Sequence, residues 1–424
     1  MKKIIALLLA CMMVIGMFAA CAPAGTNNTT TAPGTNPSDT KPTDAKPEEI
    51  TLKVWAPAED QGDETKWLNI MLKKFEEAHP EYKITWQVEV CSEGDAAKNV
   101  TGDVSAAADV FMYANDQLGT LIAADALAKL GGDYLAQVQA DNSARYVNTV
   151  TYTDGGVYGF PYTPNTWFLY YDKSVFSAED VKSLETMLTK GVVGFPVINS
   201  WYIGSFFFGA GATLFGEQGL DAAAGMQLGA KAEAVGEYLV NLMKNPNFKN
   251  DNNDGLAMLT EKKVNAYFSG SWDAQKVKDA LGENMGVAQL PTFTLNGETC
   301  QMKAFAGSKA IGVNKHSAHP RAAMQLAAFL SSEEAQLKHY ELRGIIPAAA
   351  KLAENATIAA DPVALGSVLT MNNTAIGQPT IPEMGNWWTP AETFGKALNN
   401  GQITVENVKE QVKLFQDALN GTGL

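Results

Sequence analysis

Three adjacent pairs, Trp201-Tyr202, Ser271-Trp272 and Trp387-Trp388, place flat rings where apolar strands end or helices begin, rather than along a repeating core stripe. A pyranose presents an apolar CH face and a rim of hydroxyls, so a site for one needs aromatic platforms beside carboxylates and amides. A lone tryptophan is read as core. Several at element ends point to a surface on which something flat is held.

Other chemistry finds little support. The chain has four histidines, His79, His316, His319 and His339, and carries no HExxH, no GxSxG elbow, no GxxxxGK[ST] loop and no GxGxxG after its first strand. Catalytic residues, nucleotide and cofactor are therefore not expected. His316 and His319 stand just before Pro320 and are read as a solvated first turn of a helix. The run from Asn250 to Gly255, with Glu261 beyond it, matches a calcium loop at several positions but begins with Asn where Asp is usual. It is read as a polar connection whose Asp and Asn cap the next helix, with no metal bound. Outside the leader and Cys21, Cys91 and Cys300 allow at most one disulfide and no cysteine metal site. Two separate buried thiols are the expectation.

The elements that would carry the aromatic pairs follow from periodicity. A strand at Leu52–Trp55, a helix over 64–78 with Trp67, Ile70, Met71, Lys74 and Phe75 on one face, a strand at 82–90, a helix at 95–106 and a strand at 109–113 give a βαβαβ order. That order implies a parallel sheet covered by helices. A hairpin over 149–161 turns at Asp154, Gly155 and Gly156, and a strand at 167–171 follows. A second α/β set then runs through strands at 193–197 and 266–269, with helices from Trp201 and over 230–243. Another strand at 308–313, helices at 320–330 and 333–342, and a helical end over 387–419 complete the chain. No internal repeat is visible. Two α/β halves in one chain suggest a cleft between them.

Residues 1–21 read as a secretory leader, Lys2 and Lys3 preceding an apolar run that ends in Phe18-Ala19-Ala20-Cys21. The last four resemble a lipobox, so Cys21 is the expected lipidation site. Residues 22–48 are Thr-, Pro- and Asn-rich, contain no aromatic residue, and read as a disordered tether reaching about 30 Å. Net charge is −14, and −16 once Lys2 and Lys3 are removed. So acidic a surface argues against nucleic acid and against direct adsorption to anionic lipid.

Across the mature chain, Val54-Trp55 with KKFEEAHPEYKITW, then DVFMYANDQLGTLIAADALAKL, GFPYTPNTWFLYYDKSVF, NAYFSGSWDA, GVAQLPTF and IPEMGNWWTPAE, resemble the maltose/maltodextrin-binding protein-like family of extracellular solute-binding proteins of ABC sugar importers. The resemblance implies a two-lobed periplasmic-binding-protein-like fold of type II. Each lobe would be a mixed, mainly parallel sheet flanked by helices, with a hinge between the lobes. The first lobe would comprise 49–163 plus about 307–357, and the second 164–306 plus about 358–424. The resemblance also implies that Tyr113 and Asp116 contact glucosyl units, that Asp60 (or its neighbour Glu59) accepts sugar hydroxyls, and that Tyr202, Trp272 and Trp388 stack, with Trp201 and Trp387 as additional platforms. Where the family has a glutamate this chain has Asn165, which keeps hydrogen-bonding capacity and loses charge. An expected arginine after the last tryptophan is replaced near Glu392.

The implied function is a non-enzymatic receptor of an ABC importer. It would capture maltotriose or a longer malto-oligosaccharide by lobe closure and deliver it to permease subunits, as a monomer held to the outer face of the membrane through Cys21. Two rivals stay open at the level of sequence: a binding protein for another oligosaccharide, such as a xylo-oligosaccharide or raffinose, and a secreted glycosidase.

Overall fold

The computed structural model describes residues 46–217 and 219–421, so the leader, Cys21 and nearly all of the tether lie outside the described residues. Alternation of buried and exposed residues makes β1 (Glu48–Ala56) a sheet strand with Ile50, Leu52, Val54 and Ala56 turned to the core. It pairs in parallel with β2 (Tyr82–Val90) on one side and β3 (Val110–Ala114) on the other. The helix Trp67–Ala78 joins β1 to β2 and buries Trp67, Leu68, Met71, Leu72 and Phe75. Expected core positions Ile70 and Lys74 lie at the margin of that face.

The hairpin expected over 149–161 reduces to a single bridge, Thr151 to Val157, because the following residues leave it to form β4 (Phe160–Asn165). A short connection leads from β4 into the second sheet at β5 (Phe168–Asp172), then β6 (Val193–Phe195). A two-stranded ribbon, β7 (Thr213–Leu214) with β8 (Met226–Gln227), precedes β9 (Phe248–Asn250), β10 (Ala266–Ser269) and β11 (Met285–Ala288). The second sheet has the order β11-β5-β10-β6-β9, parallel across β10, β6 and β9 and antiparallel at β5. After the hairpin of β12 (Thr292–Leu295) and β13 (Glu298–Gln301), the long β14 (Ala304–Val313) returns to the first sheet. There it runs antiparallel to β3 and β4 and parallel to β15 (Ala375–Gly377).

Two large cores result. One gathers residues from β1 to β4 with Ala310, Ile311 and Val313 of β14 and the helix Pro320–Leu330. The other gathers residues from β5 onward with Ala304 and Phe305 of β14 and the C-terminal helices. A third, smaller core sets Ile346, Ala349 and Leu352 against Phe168, Tyr170 and Tyr267. The strand β14 therefore belongs to both halves.

The helical end is broken. Gly385–Asn399 and Val408–Leu419 are separate helices, stopped at Asn400 and Gly401, whose φ of 70° suits a left-handed cap that glycine fills without steric cost. Helices Gly132–Asp141 and Pro362–Asn373, absent from the periodicity reading, complete the layers.

Candidate functional site

Between the two sheets lies a cleft of about 530 Å³, walled from the first half by Asp116, Gln117 and Lys309 and from the second by Trp201, Trp272 and Trp388. Each wall is set by local chain rules. The Asn199 side chain accepts a hydrogen bond from the Trp201 amide at 2.9 Å, starting the helix Ser200–Gly209 so that Trp201 stands in its first turn. Trp272 sits in a single turn, Ser271–Asp273, directly after β10. Its indole folds back over Gly270, where a Cβ would lie 2.1 Å from the ring. The Tyr170 hydroxyl donates to the Gly270 carbonyl at 2.9 Å and fixes that backbone. Trp201 and Trp272 meet with centroids 5.9 Å apart, tilted by 36°.

Of the residues expected at the site, Asp116, Asn165, Trp201, Trp272 and Trp388 line this cleft together. Trp387 and Tyr113 do not. Trp387 is fully buried, packs on Phe208, Phe305 and Phe415, and donates its indole N–H to the Ser200 carbonyl at 2.9 Å. Successive helix residues diverge by about 100°, so only one of two adjacent rings can face the groove. Tyr202 obeys the same rule from the other pair: Trp201 faces the cleft while Tyr202 is buried against Trp167 at 4.7 Å. Tyr113 lies in β3, which is buried on both faces, and its hydroxyl donates to the Tyr158 carbonyl at 3.4 Å. It is core, not a platform.

Asp60 lies in a neighbouring cavity of about 230 Å³, which Glu59, Glu93, Tyr162, Lys309 and Trp272 also line. Its carboxylate is already engaged by His339 at 2.8 Å and by Arg343. Burial would push that carboxyl up, yet the charges of His339 and Arg343 and their hydrogen bonds hold it below the usual carboxylate range. His339 is itself stacked on Trp67 at 4.2 Å.

Periodicity and resemblance overlooked Glu93 and Lys309. The Lys309 ammonium contacts Glu93 at 3.1 Å and stands 5.6 Å from the Trp272 ring, a cation–π approach from one half of the molecule to the other. The Tyr162 hydroxyl donates to Glu93 at 2.6 Å. Both contacts use a bulge, since Lys309 opposes Thr163 while Ala310 opposes Pro161, leaving Tyr162 as the extra residue. Burial pushes Glu93 up, but Lys309 and Tyr162 outweigh it and leave the carboxyl below its ordinary value. A lysine inside the apolar strand AFAGSKAIGV was the available signal. Asp116 has no such cation beside it, and burial raises its carboxyl to about 6.

The loop 250–261 differs from its expected role. Asp254 stands at the start of the helix Gly255–Thr260 without a side-chain capping bond, and Asp251 instead accepts from the Asn253 amide at 2.9 Å. Among the described residues no group of three or more His, Cys, Asp or Glu side chains is placed to hold a metal ion. Cys91 and Cys300 are free buried thiols, one in each large core.

The comparisons with known proteins agree with this architecture. A protein solved with acarbose is 48% identical and superposes with a TM-score of 0.85 over 88% of this chain and 99% of its own. Two Bacillus subtilis (strain 168) proteins are also similar. The galactooligosaccharide-binding protein is 25% identical over 73% of this chain and 76% of its own length, and the maltodextrin-binding protein MdxE is 26% identical over 74% and 79%. The model of the bacterial extracellular solute-binding protein family matches residues 71–365. That model covers more than half of the sequence, and the chain belongs to the bacterial extracellular solute-binding proteins.

Proposed function

We propose that this protein captures malto-oligosaccharides, α-linked glucans of three or more rings, and delivers them to the permease of an ABC importer. The carrying observation is the trio Trp201, Trp272 and Trp388 opposite Asp116, Gln117 and Lys309 in one cleft. Sugar CH faces would stack on the indoles while hydroxyls meet the polar wall. The relatives solved with acarbose and named for maltodextrin binding support the α-glucan reading. The galactooligosaccharide-binding relative keeps a second oligosaccharide class in play, and a calorimetric panel of sugars separates the two.

The reading is of a receptor that does not hydrolyse its sugar. A glycosidase sets two carboxylates across the bond it breaks, whereas Asp116 is the only carboxylate among the described residues lining the cleft. Incubation with malto-oligosaccharides should release no reducing ends while quenching tryptophan fluorescence. Removing a stacked indole should cost about 2–4 kcal/mol, roughly 30-fold or more in Kd. If Trp272→Ala and Trp388→Ala both bind maltotriose as the parent does, the assigned cleft is wrong.

We further propose two lobes, 49–163 plus about 307–357 and 164–306 plus about 358–424. The division of the two large cores supports the first crossings, while the packing of Ile346, Ala349 and Leu352 against Phe168, Tyr170 and Tyr267 moves the return crossing from about 357 to near 346. The body would be a monomer held at the outer face of the membrane by lipid on Cys21, with 22–48 as tether. Cys21→Ser should release the protein from the membrane fraction into the medium.

A further inference from the structure

A second cavity, of about 290 Å³, shares Asn199 and Trp272 with the cleft, so one indole and one amide border both spaces. Its walls add Tyr202, Tyr267, Asp251 and Asp273. Asp273 is already engaged, accepting from Ser269 at 2.6 Å and from the Tyr267 hydroxyl at 3.2 Å. Asp251 is not. It is 2% exposed, and the one hydrogen bond to its carboxylate is that which Oδ1 accepts from the Asn253 amide. Its second oxygen has no protein donor and is not among the fully enclosed unpartnered atoms, so the carboxylate opens to the cavity it lines, free to accept from whatever enters. Nothing cationic stands by it, and burial followed by the charge of Asp254 raises this carboxyl to about 6.

An aromatic wall with a carboxylate acceptor repeats the chemistry of the main cleft at smaller size. We infer that this cavity is a side subsite that takes one hexosyl unit carried as a branch on the glucan in the cleft, its hydroxyls donating to Asp251. The inference rests on the α-glucan reading given above. A linear chain lying across Trp201, Trp272 and Trp388 leaves the side subsite unused, whereas a chain with a 6-linked glucosyl branch beside Trp272 fills it. The metal alternative lacks the ligands, since no three acidic or imidazole side chains converge among the described residues.

The test is calorimetry on the full mature chain with two tetrasaccharides of equal ring count, linear maltotetraose and maltotriose bearing one α-1,6-linked glucosyl branch. The branched sugar should bind at least tenfold more tightly. Asp251→Asn keeps the shape of the side chain, and it should erase that preference while leaving the affinity for maltotetraose unchanged. Equal or weaker binding of the branched sugar by the parent protein overturns the side subsite, as does a preference that survives Asp251→Asn. Binding of neither sugar rejects the α-glucan reading, and the side subsite falls with it.

Discussion

Asp116 is the carboxylate whose environment departs most usefully from water. Burial raises it to about 6, and no cation offsets that. Without sugar its folded pKa exceeds the ordinary 3.8, so its ionised form is a burden on stability that grows above pH 3.8 and is complete above about pH 6. Asp116→Asn should therefore raise the Tm at pH 7 by a few degrees in calorimetry without sugar. Sugar hydroxyls donating to the carboxylate would favour the ionised form, so binding should release protons and weaken as pH falls from 7 to 5. In Asp116→Asn that pH dependence should vanish, along with part of the affinity. Its place at the cleft wall was legible from the YANDQLG motif, as those of Trp272 and Trp388 were from their position at element ends. Tyr113 and Trp387 were misread for a local reason. Every residue of β3 is buried, so alternation along it carries no information about which face is wet, and adjacent rings on a helix look alike in sequence while pointing about 100° apart.

At the scale of elements, the cleft depends on backbone that lets side chains lie close. Gly270 has an ordinary negative φ, so the demand on it is space, because the Trp272 ring occupies the position of a Cβ. Gly270→Ala should displace the indole and weaken maltotriose binding about as much as Trp272→Ala does, with β10 intact by circular dichroism. The lock between Asp60 and the helix Glu333–Arg343 is a second such dependence. Arg343→Ala takes the guanidinium from a carboxylate that is 1% exposed and leaves it the His339 hydrogen bond alone. Unpairing a buried charge costs about 3–5 kcal/mol, to be read as a fall in the denaturant midpoint. Since the carboxyl of Asp60 is held low, its contribution to stability is present above the ordinary 3.8 and is lost as pH falls through the folded value. None of this was legible in sequence. Asp60 and His339 lie 279 residues apart, and only the folded sheet brings them together.

For the whole molecule, the question is how two bodies built on separate sheets would act together in the proposed capture of sugar. Periodicity gave the parallel core of the first sheet, but the antiparallel strands β4 and β14 and the crossings between sheets depend on pairings that no short window of sequence contains. One of those crossings, β14, meets Asn115, which is fully buried beside Asp116. Its Oδ1 accepts from the Ser308 amide of β14 at 3.1 Å, and its Nδ2 donates to the Gln378 carbonyl at 3.5 Å. At Gly307 a Cβ would fall 2.0 Å from that same Oδ1. A sugar that touches both walls only when they approach favours the closed arrangement by its differential affinity and by nothing else. Saturating maltotriose should therefore lower the radius of gyration in solution scattering. Gly307→Ala, by pushing Asn115 off the crossing, should weaken binding more than tenfold while the saturated variant reaches the same compact radius. An unchanged radius in the parent protein would mean that the cleft is already closed before sugar arrives, and the hinge would then have no part in capture.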